Sequence, residues 1–196
     1  HGEKPDVLVG VTSTVHDMAA DGDVRADSIR GLVRSEVGVA ASLTSPAASM
    51  ATVADFRALM DRASSIAYSA AGASGGVFQR VLADLRLTDT VTPKAVVLAK
   101  GFTAEAVRDG RAEIAIQQIS ELASVPGVRI LGPLPADLGA YVELSTAIGA
   151  HAENSTLAEQ LARHLGAEEF APVYRRAHLP PIMTGAATRP DMIGID

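Results

Sequence analysis

Short apolar runs alternate with amphipathic segments along almost the whole chain. Apolar runs of about five residues are typical of buried strands, and apolar residues spaced three or four apart are typical of helices. The predicted strands are Val7–Val11, 32–41, 65–69, 94–98, 114–116, 129–131 and Tyr141–Ile148. The predicted helices are 13–20, a segment starting after Thr52, 77–85, Thr103–Arg108, Ser155–Leu165 and 168–176. This alternation predicts an α/β fold with parallel or mixed sheets flanked by helices.

Two glutamines follow the buried strand predicted at 114–116. Gly110 can adopt the left-handed conformation that ends the preceding helix, and Gln117 and Gln118 stand where the strand stops. Open α/β sheets bind their ligands at the carboxyl ends of strands. A glutamine side chain offers hydrogen-bond donors and an acceptor, but no nucleophile. The pair therefore indicates that a polar solute is bound rather than attacked.

A small, glycine-rich turn follows the strand predicted at 65–69. The turn 70–76 leads into the helix at 77–85, with Ser74 as the expected N-cap and the free amides of Gly75 and Gly76 after it. A strand, such a turn and a helix N-terminus together form a cradle for an anion. The alternative is an ordinary capped helix that binds nothing.

The helix starting after Thr52 has a clear sequence signature. Thr52 and Asp55 form a capping box in which aspartate replaces the usual glutamate. The apolar residues predicted to face the core from this helix are Phe56, Leu59 and Met60.

Several of these segments, in order and spacing, resemble extracytoplasmic solute-binding proteins of the molybdate-binding type. The matching segments are 5–9, Ile66–Ser69 with 73–75, 110–122, 125–135 and the helical pattern up to His178. The resemblance implies a two-lobed, class II periplasmic-binding-protein architecture with an anion captured between the lobes. It also implies a periplasmic or extracytoplasmic location and the membrane permease of an ABC transporter as partner. Segments 117–122 and 125–135 resemble a branch that includes isomerases of small tricarboxylates such as aconitate.

The resemblance also implies a ligand set. Its second ligand loop falls at 10–14, where Thr12 and Ser13 offer hydroxyls, although Ser13 capping the next helix is the favoured alternative. The full predicted set is Thr12, Ser13, Ser69, Ser74, Gly75, Gln117 and Gln118. Gln118 stands where the family has an anion-contacting tyrosine, which leaves room for a carboxylate ligand. No metal, cofactor or catalytic residue is part of the prediction.

The family's leading β-α-β segment has no counterpart before Pro5. We therefore expect a discontinuous, incomplete first lobe (1–44 with 137–196) and a second lobe at 45–136. An apolar strand edge left open in the first lobe favours a homodimer or strand exchange.

Composition excludes several classes of protein. Apolar residues make up 47% of the 196 residues, enough for a sizeable core, and no apolar run has the length of a membrane span. A net charge of −6 without a basic stripe argues against nucleic acid as a partner. The chain has no cysteine, and its five histidines are scattered, which argues against disulfides and a zinc site. The polar residues 1–5 do not resemble a signal peptide.

Two functions remain in competition. A solute-binding protein needs converging neutral donors, which the predicted set supplies. An isomerase also needs a base, for which Glu121, Glu143 and His16 are candidates, each with an ordinary explanation as a surface residue. A ligand-sensing domain of a transcription regulator would need a helix-turn-helix, and the sequence has no such pattern. The sequence favours the solute-binding protein, with the isomerase as the alternative.

Overall fold

The computed structural model describes residues 4–182, whose strands and helices alternate as predicted. The strands are β1 (Val7–Val11), β2 (Arg30–Ser42), β3 (Ile66–Ser69), β4 (Ala95–Leu98), β5 (Ile114–Gln118), β6 (Val128–Pro133) and β7 (Tyr141–Ile148). The helices are α1 (Thr12–Ala20), α2 (Val53–Arg62), α3 (Ala73–Asp84), α4 (Thr88–Val91), α5 (Thr103–Arg108), α6 (Ile119–Leu122), α7 (Ser155–Leu165) and α8 (Ala171–Arg176).

The described residues form two compact units. Unit 1 comprises 4–34, 144–175 and 180–182, and unit 2 comprises 35–143 and 176–179. The division falls inside β2 and β7, whose residues are therefore shared between the units. The lobe boundaries predicted at 44/45 and 136/137 stay a prediction, as does the homodimer.

Unit 1 is built around an antiparallel pair of strands. Strand β1 pairs with β7, with Val7 opposite Ile148, and α1 packs Val15 into the small core beside them. Val9 is 48% exposed, so β1 is less buried than its apolar sequence predicts. The physical reason is that successive side chains of a strand point to opposite faces: Leu8 packs with Val15 of α1, whereas Val9 points to the other face.

Unit 2 contains a mixed sheet with helices on both faces. Strand β2 lies between β6 and β5 and is antiparallel to both, whereas β5, β3 and β4 run parallel to one another. Alternate residues of β5 point to opposite faces: Ile114 and Ile116 pack with α2 and α3, and Ala115 packs with α5. The predicted α/β class with a mixed sheet is confirmed.

Helix α2 begins with the predicted capping box. The Thr52 hydroxyl accepts from the Asp55 amide at 3.1 Å, and the Asp55 carboxylate accepts from the Thr52 amide at 3.1 Å. The Ser49 hydroxyl donates to the same carboxylate, and these hydrogen bonds lower the pKa of Asp55. The capping box fixes the start of α2, whose Phe56 and Met60 side chains are fully buried.

We expect Thr52→Ala to lower the free energy of unfolding by about 1 kcal/mol, because it leaves the Asp55 amide without its side-chain acceptor. Urea denaturation at neutral pH measures the change. Thr88→Ala is the matched control, since Thr88 is the first residue of α4, which has no side-chain cap. Equal losses in the two variants would contradict a capping role for Thr52.

The structure differs from the sequence predictions at some helix ends. The helix predicted at 168–176 is a 3₁₀ turn at Glu168–Phe170 followed by α8. The predicted extended tail starts at Leu179; Pro181 bridges to Val33 in unit 1, and residues 183–196 lie outside the described residues. Among residues 4–182 we find no helix with the length and apolar character that crossing a membrane requires.

Candidate functional site

Polar side chains of unit 2 gather at one edge of its sheet. Strands β3 and β5 are parallel neighbours, with Ile66 opposite Ile114, so their carboxyl ends meet at the same edge. Ser69 is the last residue of β3, and Gln118 is the last residue of β5. The two predicted strand ends are therefore brought together.

Helix α3 starts at this edge, earlier than predicted. It begins at Ala73 with Gly72 in the N-cap position and no side-chain cap, so the prediction that Ser74 is the cap is wrong. The reason is that the Ser69 hydroxyl accepts from the Gly72 amide at 3.1 Å, which turns the chain into the helix sooner.

The free amides of α3 also differ from those predicted. The amides of Gly75 and Gly76 both donate to the Gly72 carbonyl, at 2.9 and 3.2 Å, and so are not free. The first amides of an α-helix lack an intrahelical partner, which here leaves those of Ala73 and Ser74. The free amides at the start of α3 therefore lie two residues nearer the strand than predicted, and the anion cradle stays a prediction.

Ser74 is the most informative residue of this edge. Its side chain lies in the first turn of α3 and is 3% exposed, and its hydroxyl has no hydrogen-bond partner among residues 4–182. Because no fully buried side-chain oxygen or nitrogen of the described residues lacks a hydrogen-bond partner, this hydroxyl keeps some contact with solvent at the edge of the sheet. It is therefore free to donate to an anion at the start of α3.

Gly75 lets α3 lie directly on the end of β3. A Cβ at this position would lie 1.9 Å from the Ser69 carbonyl oxygen, whereas one at Gly76 would meet open space. Gly75 therefore has a packing role that the sequence did not reveal.

The two predicted glutamines point to opposite faces of the sheet. Gln117 is 4% exposed on the α5 face, where its side-chain oxygen accepts from the Thr103 amide at 2.7 Å and the Thr103 hydroxyl at 3.0 Å. Its side-chain nitrogen donates to the Gly101 carbonyl at 3.3 Å. Gln117 thus holds the start of α5 in place. Gln118 has the same parity along β5 as Ile116, which places it on the α3 face with Ser74.

Glu121 lies next to Gln118. The Gln118 side-chain nitrogen donates to the Glu121 carboxylate at 3.1 Å, and the carboxyl group is half-buried. Burial raises the pKa of Glu121, against the opposing effect of the hydrogen bond from Gln118. Its carboxyl group therefore binds a proton more readily than an exposed glutamate does, a property that suits proton transfer. Glu143 is half-buried on β7, and His16 is exposed on α1.

Unit 1 has its own hydroxyl cluster. The Thr12 hydroxyl lies 2.7 Å from that of Ser145, which is 1% exposed on β7. Ser13 is exposed in the first turn of α1 and does not cap it, because the helix begins at Thr12 with Val11 in the cap position. The favoured explanation of Ser13 as a cap is therefore wrong. Sequence reasoning missed Ser145, whose signal is the pair of adjacent hydroxyl residues, Ser145 and Thr146, between the apolar residues Leu144 and Ala147 of β7.

The described residues contain no cluster of three or more histidine, aspartate or glutamate side chains placed to hold a metal ion. The donors of both units are neutral hydroxyl, amide and backbone groups. Neutral donors can hold an oxyanion without burying a countercharge, which would be costly in itself.

Comparison with known proteins gives a consistent result. Residues 1–179 match the family model described as bacterial extracellular solute-binding protein. An aconitate isomerase from Pseudomonas sp. is 28% identical over 181 residues, which cover 92% of this chain and 69% of that protein.

Two solved structures show the fold. A substrate-binding domain assigned to a molybdenum ABC transporter of Clostridium difficile superposes with a TM-score of 0.74 at 16% identity, over 92% of this chain and 79% of that one. The periplasmic molybdate-binding protein of Azotobacter vinelandii superposes with a TM-score of 0.70, also at 16% identity, over 91% and 79%. The fold is thus that of the class II periplasmic binding proteins.

Proposed function

Because this chain belongs to the bacterial extracellular solute-binding protein family, we propose that it captures a small oxyanion or organic polycarboxylate outside the cytoplasm. The ligand-binding groups in unit 2 are Ser69, Ser74 with the first turn of α3, and Gln118; Gly75 shapes this turn. Thr12 and Ser13 are the proposed groups of unit 1. The bound solute passes to the membrane permease of an ABC transporter.

The observation that carries this proposal is the Ser74 hydroxyl, which has no hydrogen-bond partner among residues 4–182 and stays accessible at the edge of the sheet. It lies in the first turn of a helix of 12 residues, where backbone amides and the helix dipole favour negative charge. Gln118 adds an amide on the same face of the sheet. Gln117 contributes indirectly, since its amide group is engaged with Thr103 and Gly101.

A thermal-shift screen tests the proposal. The panel is molybdate, tungstate, sulfate, phosphate, citrate, cis-aconitate and trans-aconitate. A ligand at a hundred times its dissociation constant stabilises the native state by about 2.7 kcal/mol, which corresponds to a rise of about 5–10 °C in melting temperature. At least one anion is expected to produce such a rise.

A pair of double variants locates the site. Ser74→Ala with Gln118→Ala is expected to weaken binding at least about tenfold, because hydrogen bonds to a charged ligand contribute about 1.5–3 kcal/mol each. The matched control is Gln79→Ala with Ser124→Ala, two exposed side chains on α3 and just after α6. A shift that survives the first pair unchanged would place the site elsewhere, and a panel without any shift would reject the anion site.

A second candidate function is isomerisation of a small tricarboxylate. The half-buried Glu121 carboxylate beside Gln118 favours it, and the similar Pseudomonas protein is an aconitate isomerase. In this reaction Glu121 would take a proton from a carbon next to the double bond, the double bond would shift by one position, and the proton would return to the other end of the allylic unit. Donors at the start of α3 would stabilise the charge that develops on a carboxylate. Conversion of cis- to trans-aconitate distinguishes this enzyme from the binding protein.

A further inference from the structure

Unit 1 contains a cavity of about 820 Å³ that none of the predicted ligand residues lines. Its walls come from the start of β2, the second half of α7, α8 and residues 181–182. The volume is in the range of cavities that bind drug-sized organic molecules, about 300–1,000 Å³. It is therefore a candidate for a second binding site.

Part of the wall is apolar. Leu32 and Ala171 are buried side chains of this wall, and Leu165 and Ile182 are partly buried. The Tyr174 hydroxyl donates to the Leu165 carbonyl at 2.8 Å, so its hydrogen-bonding need is already met. This part of the cavity suits a hydrocarbon body.

The rest of the wall is rich in arginine. Arg25, Arg30, Arg163 and Arg175 line the cavity with three acidic residues, Asp27, Glu159 and Glu168, which leaves one positive charge in excess. This excess is notable in a chain whose net charge is −6. The cavity therefore differs in charge from the chain as a whole.

Arg25 is already neutralised. Its guanidinium group donates to Asp27 at 3.4 Å and to Glu159 at 3.2 Å. Arg30 is held by hydrogen bonds from one of its terminal nitrogens to the carbonyls of Asp27 and Ile29, at 2.7 and 2.8 Å, which leave its charge unbalanced.

Arg163 and Arg175 are the open cations of the cavity. Neither has an ion pair or hydrogen bond among residues 4–182, and both are exposed. A guanidinium group presents a planar fork of donors that matches a carboxylate. The guanidinium groups of Arg163 and Arg175, with one positive charge in excess over the whole lining and an apolar wall beside them, thus favour a molecule that is anionic at one end and apolar at the other.

We propose that this cavity binds an amphipathic organic monocarboxylate, with its carboxylate on Arg163 and Arg175 and its hydrocarbon body against Leu32, Leu165 and Ile182. The site is separate from the proposed oxyanion site, since it uses cationic rather than neutral donors and shares no residue with it. A negative result at one of the two sites therefore does not count against the proposal for the other.

Decanoate, used below its micelle concentration, is the probe. Titration followed by ¹H–¹⁵N correlation spectra is expected to shift the amide signals of residues 162–175 and 30–32, with saturable binding by calorimetry. The double variant Arg163→Gln with Arg175→Gln is expected to weaken binding at least tenfold. Arg57→Gln, an exposed arginine of α2 outside the cavity, is expected to leave the affinity unchanged.

Uncharged decanol separates charge recognition from simple apolar binding. It is expected to bind at least tenfold more weakly than decanoate. Three results would each overturn the proposal. The first is equal affinity for decanol and decanoate, and the second is signal shifts confined to residues outside the cavity. The third is equal affinity for decanoate in the double variant and the Arg57→Gln control. If the double variant fails to fold, the signal shifts of the unmodified protein and the comparison of decanoate with decanol still test the proposal.

Discussion

Gly75→Ala is expected to destabilise the protein by about 3 kcal/mol and to abolish anion binding in unit 2. The new Cβ would lie 1.9 Å from the Ser69 carbonyl oxygen. This atom belongs to the backbone at the end of β3, so it cannot rotate away as a flexible side chain could. Helix α3 must move off the strand, which carries the Ser74 hydroxyl and the first amides of the helix away from Gln118.

Gly76→Ala is the matched control for this variant. The neighbouring glycine lies in the same helix turn, and a Cβ there would meet no atom within 4 Å. Alanine also has the higher helix propensity, so the stability should be unchanged or increased by up to about 1 kcal/mol. Urea denaturation gives the stabilities, and the anion-induced change in melting temperature reports the site. Similar losses in both variants would show that the close packing of α3 on β3 is not needed.

Glu121→Gln is expected to lower any conversion of cis- to trans-aconitate at least about 100-fold, while aconitate still raises the melting temperature. General acid–base catalysis contributes about 10²–10⁴-fold, and glutamine keeps the shape of the side chain but cannot carry the proton. Because burial raises the pKa of Glu121, the basic form appears at higher pH than for an exposed glutamate, and the rate should rise through that pKa. For the same reason, the contribution of this group to folding is complete at low pH and declines as the pH rises through the raised value.

Glu153→Gln is the control for this experiment, because Glu153 is an exposed residue of unit 1. It should leave both the rate and the thermal shift unchanged. Full activity in the Glu121→Gln variant would assign the base to another residue. Anion binding by the unmodified protein without any conversion would leave the solute-binding protein as the function.

The sequence predicted best those elements whose apolar period is clear. Strand β7 and helices α5 and α7 have the predicted bounds, and the capping box at Thr52 forms as predicted. Gly110, predicted to end α5 in the left-handed conformation, has a φ of 73°. These features depend on neighbours within a few residues, which a pattern along the chain reveals directly.

The start of α3 could not be predicted in this way. Residues 72–76 contain three glycines, which have low helix propensity, so the segment resembled a loop. The structure shows that the packing of α3 on β3 requires a glycine at position 75. This tertiary requirement outweighs the low helix propensity of glycine. Phe78, which lies inside the predicted helix but was not assigned to its apolar face of Val77, Val81, Leu82 and Leu85, is fully buried.

The candidate site was predicted in composition but not in the roles of its members. Adjacent strand residues face opposite ways, and no local pattern shows that Gln117 meets Thr103, which lies 14 positions earlier in the chain. The hydrogen bond between the Thr12 and Ser145 hydroxyls, which lie 133 positions apart in the chain, could not be predicted for the same reason. Residue types indicated a neutral, anion-binding site, whereas only the fold separates side chains available to a ligand from those that support the structure.

Tyr68 can serve as an intrinsic fluorescent probe of the protein. Its ring makes an edge-on contact with that of Phe78, and the two ring centres are 5.2 Å apart. The chain has no tryptophan and three tyrosines, so its ultraviolet emission comes from Tyr68, Tyr141 and Tyr174. Tyr68 is half-buried on β3, one residue before Ser69. With Tyr141 and Tyr174 changed to phenylalanine, Tyr68 becomes the sole emitter. Its fluorescence intensity and anisotropy then follow events at the edge of β3 in an unlabelled protein.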